Sequence, residues 1–147
     1  MVKKERSRWS VEPHLVIYID GHTLDGMLAK ILKNDDLHGL VPSISWLQDE
    51  RERNYTIQKI FSLKDTKEII PVLVCPDDED LSCTVIVAEV HVENDVVYWS
   101  RLGLDESPNE FPQTIGNKVS WFKGLPVYLF DIKQYKESWK QIKSEEY

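Results

Sequence analysis

Residues 83–102 constrain the fold more than any other stretch. Cys83 to Val92 is a run of β-branched and apolar residues, Asn94-Asp95 is a turn pair, and Val96 to Leu102 is a second strand-like run. Two such runs joined by a short connection centred on a turn pair fold back as an antiparallel hairpin. The pair lacks the glycine of the most favoured hairpin turns, so the signal comes from the two strands.

Other segments arrange themselves around this hairpin. His14 to Ile19 reads as a short strand ended by the turn pair Asp20-Gly21. Thr23 is placed to cap a helix in which Leu24, Met27, Leu28, Ile31 and Leu32 recur at helical spacing, and Asn34-Asp35-Asp36 stop it. Ser45 and Gln48 have the spacing of a capping box, which predicts a second helix from Trp46 to Phe61. Ile69 to Cys75 reads as a strand, and Pro71 within it, lacking an N–H, predicts an edge or a bulge. Val119 to Phe122 and Val127 to Phe130 predict a closing hairpin around Lys123-Gly124. Asp131 and Gln134 are a cap pair for a last helix bearing Tyr135, Trp139 and Ile142. Helices stand before and after the strand block and do not alternate with it, which predicts an α+β fold with a mainly antiparallel sheet. A chain of 147 residues, 41% of them hydrophobic, fits one domain with a real core. Residues 1–12 read as a flexible basic leader and 13–147 as that domain.

Charge is distributed unevenly. Residues 76–110 hold ten acids (Asp77, Asp78, Glu79, Asp80, Glu89, Glu93, Asp95, Asp105, Glu106 and Glu110) against one base, Arg101. This stretch carries −9 in a chain of net charge −7, so the remainder sums to +2. Concentrated negative charge favours a basic partner and disfavours nucleic acid and anionic lipid. No apolar run approaches the roughly 20 residues that span a bilayer, and no signal-type apolar segment follows the basic N-terminus. With only two cysteines, Cys75 and Cys83, the chain reads as cytoplasmic.

Catalytic, metal and cofactor motifs are not legible. Asp77-Asp78-Glu79-Asp80 offers carboxylate oxygens but lacks the spacing and glycine of a calcium loop, and reads as a solvated or partner-facing turn. Cys75 and Cys83 would face each other across a strand–loop–strand unit, without the second ligand pair that zinc requires. No glycine pattern cradles a nucleotide and no local nucleophile–base pair is present. Trp46, Trp99, Trp121 and Phe122 lie at element ends or beside turns, where aromatics fill the core or act as interface anchors. The expected partner-binding residues are therefore Asp77, Asp78, Glu79, Asp80, Asp105 and Glu106, with Trp99 as the aromatic anchor.

The run Pro71-Val-Leu-Val-Cys-Pro-Asp-Asp-Glu-Asp-Leu-Ser-Cys-Thr-Val-Ile-Val-Ala-Glu-Val90, followed by Trp99, Arg101 to Asp105 and Val119-Ser-Trp-Phe122, resembles small cytosolic proteins encoded beside polymorphic toxins in Gram-positive bacteria. The family it is most similar to is the immunity partner, or antitoxin, of LXG-type toxins, over roughly residues 14–143. That resemblance implies a non-enzymatic role without a cofactor, in which the chain binds and neutralises a cognate toxin domain. A nuclease domain, whose substrate surface must be basic, would complement the acidic stretch. A small cytosolic enzyme or ligand-binding domain is the competing expectation.

Overall fold

The structure, a computed structural model, describes residues 2–5, 14–44, 47–76, 84–107 and 114–145. It is a single α+β domain in which every strand pairing among the described residues is antiparallel. Three strands near the N-terminus, β1 (Val2–Glu5), β2 (His14–Ile19) and β3 (His22–Thr23), form one small sheet in the order β1-β2-β3. Asp20 and Gly21 both take positive φ, the geometry of a tight two-residue turn between β2 and β3. The basic leader is thus partly a strand, a correction to the sequence expectation. Main-chain pairing with β2, Val2 opposite Ile17 and Glu5 opposite His14, requires no apolar period.

A six-stranded sheet follows, built from β4 (Val41–Pro42), β5 (Glu68–Val74), β6 (Val85–Glu93), β7 (Val96–Asp105), β8 (Val119–Trp121) and β9 (Tyr128–Asp131). Its order runs β4-β5-β6-β7, and both β8 and β9 lie on the far edge of β7. The expected closing hairpin does not form. β8 pairs with Gly103–Asp105 and β9 with Val96–Trp99, end to end and in the same direction. They are one interrupted edge strand, broken by residues 122–127, where Gly124 takes positive φ and Pro126 cannot donate to a ladder. Pro71 sits at a register shift between Pro71 and Leu73, the bulge rather than the edge of the two outcomes its missing N–H allows, and Ser43 Oγ donates to its carbonyl at 2.9 Å.

The helices are α1 (Leu24–Ile31), α2 (Glu50–Phe61) and α3 (Ile132–Ser144). Thr23 caps α1 and Asp131 caps α3 by accepting from Gln134 N at 3.0 Å, as the sequence predicts. The cap of α2 is Asp49, which accepts from Arg51 N and Glu52 N. The helix therefore begins four residues later than expected, with Trp46 and the proposed cap Ser45 outside the described residues. Tyr135, Ser138, Trp139 and Ile142 form the buried stripe of α3 at spacings of three and four.

All three helices lie against one face of the large sheet. Leu24 and Leu28 of α1, Ile60 of α2 and Tyr135, Trp139 and Ile142 of α3 share one core with Ile70, Ile86, Ala88, Val90, Val97, Trp99 and Leu102. β2 contributes Leu15, Ile17 and Ile19 to the same core. The opposite face holds a smaller cluster of Val41, Leu47, Val74, Val85, Val87 and Ile115, in which none of the three helices takes part.

Candidate protein-docking surface

This second face is where the sheet meets its surroundings. Alternation along β6 sends Val85, Val87, Glu89, His91 and Glu93 to it, and Ile86, Ala88 and Val90 to the helix side. Register then defines its rows. Ile69 of β5 lies opposite Glu89, and Glu89 opposite Arg101 of β7. His91 lies opposite Tyr98, and Tyr98 opposite Leu129 of β9. Val87 lies opposite Gly103, and Gly103 opposite Trp121 of β8. The loops carrying Leu47 and Ile115 cover the Val85–Val87 end. Toward the other end Leu129 is 57% exposed and the nearby Val127 49%.

The centre of the face is a charge cluster held in place on two sides. Arg101 Nε and Nη2 donate to Glu89 Oε2 at 3.2 and 2.9 Å. Ser100 Oγ donates to Glu89 Oε1 at 2.9 Å, and Lys67 Nζ lies 3.6 Å from the same oxygen. Burial pushes the Glu89 carboxyl up, but hydrogen bonds from Arg101 and Ser100, with the charges of Arg101 and Lys67, outweigh it and hold the group below its usual range. On its other side the guanidinium lies 3.9 Å over the Trp121 ring. Trp121 can lie flat because residue 103 is glycine: a Cβ there would come within 2.9 Å of its ring and 2.6 Å of Val119. Beside this cluster the His91 and Tyr98 rings stack at 4.8 Å with an interplanar angle of 10°. His91 Nε2 is 3.9 Å from a Glu93 carboxylate oxygen, and its Nδ1 is enclosed without a hydrogen-bond partner among the described residues.

Expected partner residues divide sharply. Asp77, Asp78, Glu79 and Asp80 lie in the chain between β5 and β6, outside the described residues, as do Cys83 and Glu110. Asp105 is on the outer face but engaged within its own loop: its Oδ1 accepts from Ser107 Oγ at 2.8 Å and Gly116 N at 3.1 Å. Glu106 is exposed and hydrogen-bonded to Ser120 Oγ. Trp99 is corrected outright as an anchor. It is 0% exposed on the helix side, meets Phe130 edge-on at 4.9 Å and donates its indole N–H to Tyr135 Oη at 3.1 Å. A residue so enclosed supports the fold and offers no surface to a partner.

Sequence reasoning missed Glu89, Arg101, Tyr98, His91 and Leu129 as a group. The missing piece is a bulge. Unbroken pairing from the two-residue turn would set Glu89 against Ser100 and drive Arg101 toward the core; a register shift after Val90–Trp99 sets Glu89 against Arg101. One signal of it is readable: Val97, Trp99 and Leu102 all enter the core, and the step from 99 to 102 breaks strict alternation. Among the described residues no cluster of three or more His, Cys, Asp or Glu side chains could hold a metal ion. Among them also, no helix is long and apolar enough to cross a membrane. Comparison with protein-family models, with curated proteins and with solved structures finds no match.

Proposed function

We propose that this chain is a stoichiometric protein inhibitor, the immunity partner of an LXG-type toxin, that neutralises a basic nuclease domain in the cytoplasm. The observation that carries the reading is the open sheet face. It presents Arg, Trp and Tyr, the side chains richest in interface hot spots, together with exposed Leu129 and Val127. Glu93 and Asp95 stand exposed at one end of this face, and the acidic run 77–80 belongs to the connection between two of its strands. In this reading the acids speed capture of a basic partner and the sheet face provides the contact.

Co-expression with the product of the adjacent gene, followed by co-purification and growth rescue, tests the reading. A chain that neither binds nor protects against that product is not an immunity protein. The electrostatic part is tested separately by replacing Asp77, Asp78 and Asp80 with Asn and Glu79 with Gln. Association should slow, and added salt should slow the wild type more than the variant. Equal, salt-insensitive rates would remove the steering mechanism and leave the inhibitor role standing.

A second reading, a small ligand-binding domain, draws on a groove of about 650 Å³ beside α1, lined by His22, Thr23, Gly26, Met27, Lys30 and Ile31. Binding of a small molecule that is blocked by Gly26→Leu, with toxin binding absent, would favour it.

A further inference from the structure

We infer that the centre of the open sheet face is built to receive a carboxylate side chain of the protein partner, with Arg101 as the receiving group. This rests on the protein-binding reading above and adds what that reading leaves open: the chemistry at the middle of the contact. Three observations support it. First, Arg101 is fixed before any partner arrives. Glu89 takes one edge of its fork through Nε and Nη2, and Trp121 underlies its plane at 3.9 Å. The edge bearing Nη1 has no acceptor among the described residues, and the side chain is 48% exposed. A guanidinium already held flat loses little freedom on binding and offers parallel N–H donors to a carboxylate. Second, the local charge does not cancel. Lys67 and Arg101 are two cations around the single Glu89 carboxylate, so one positive charge remains. Third, the flanks are apolar and aromatic: Tyr98 stacked on His91, exposed Leu129, and Ile69 half-buried. Charge complementarity therefore selects a protein segment bearing an Asp or Glu between apolar side chains. The face thus reverses the sign of the surrounding acidic segment at its centre, which fixes register as well as attraction.

The test uses the intact chain and the toxin domain encoded by the adjacent gene. Arg101→Lys keeps Glu89 paired and guards against loss of fold, which circular dichroism verifies. Arg101→Glu reverses the charge. Kd should rise roughly fivefold for the lysine variant and a hundredfold or more for the reversal, because a fork is lost in one and a like charge introduced in the other. A scan replacing each surface Asp or Glu of the toxin domain by Lys should find one substitution that restores binding to the Arg101→Glu chain. Wild-type binding with unchanged affinity for both folded Arg101 variants overturns this inference and leaves the inhibitor reading intact. Weakened binding that no acid-to-lysine change restores overturns the carboxylate as the partner group. Failure of the wild type to bind the toxin domain overturns both.

Discussion

Two buried side chains show how residue environment sets the pH range of this protein. Glu89 is held below its usual value in the folded chain, so the folded state holds that proton less tightly than the unfolded one. Its stabilisation is complete above the unfolded value near 4.5 and is lost as pH falls through the lower folded value. Glu68 is lowered in the same sense, first by the hydrogen bond from Lys59 and then by that from Lys64. Glu89→Gln should therefore flatten the fall in melting temperature as pH drops below the unfolded value near 4.5, by the same linkage. An unchanged acid limb would remove Glu89 from that role. Tyr135 works in the opposite direction. Complete burial pushes its phenol up to about 12, while the Trp99 hydrogen bond and the nearby Trp139 N–H, which lacks hydrogen-bond geometry, pull weakly the other way. The neutral form is favoured in the fold, so its stabilisation is whole below pH 10 and is lost as pH climbs toward about 12. Ultraviolet titration should find one tyrosine that ionises only at that limit. Trp99→Ala should cost about 3–5 kcal/mol in denaturant unfolding, through core packing and the lost hydrogen bond. A well-folded Trp99→Ala chain with normal stability would contradict its enclosed position.

At the scale of elements, turn and edge chemistry decide what the sequence pattern leaves open. Asn94 and Asp95 both sit at positive φ, 51° and 61°, so the turn is of the type that favours Asn-Gly. Asp95→Gly removes a side chain from the left-handed region and keeps the main-chain carbonyl that Ile132 N uses at 3.2 Å. It should stabilise by about 0.5–1 kcal/mol, read as a rise of a few degrees in melting temperature. Gly103→Val should do the reverse, because its Cβ would meet the Ser120 carbonyl at 2.8 Å as well as Val119 and Trp121. A cost of about 1–3 kcal/mol is expected, with quenched contact between Arg101 and Trp121 visible in tryptophan fluorescence. The central hairpin was legible because its apolar run, turn and return are local. β8 and β9 were misread as partners because their pairing is decided by β7. Each finds its bonds on that strand's free edge, and residues 122–127 only bridge the gap. The leader's strand was hidden for the same reason, since its main-chain bonds go to β2.

For the whole molecule, the helices on one side and the open sheet on the other define what it can present to a partner. Chelator and reductant should each leave the melting temperature unchanged, since Cys75 and Cys83 lack the further ligands of a zinc site. A fall in stability with either reagent would reveal a linkage the sequence does not declare. Charge counted along the chain and charge shown at the surface prove to be different quantities. Of the acids in residues 76–110, Glu89 is neutralised by Arg101 and Lys67, and Asp105 is spent on its own loop. By itself the sequence determined the α+β class, the central hairpin and the caps at Thr23 and Asp131, because each depends on neighbours a few residues apart; at Pro71 it left an edge or a bulge open, and pairing of β5 on both sides made it a bulge. Only the tertiary structure decided that Trp99 is core, that β8 and β9 share one edge, and that Arg101 lies between Glu89 and Trp121. Those outcomes depend on a one-residue bulge and on pairing between distant segments, where a single shift of register exchanges the buried and the exposed face.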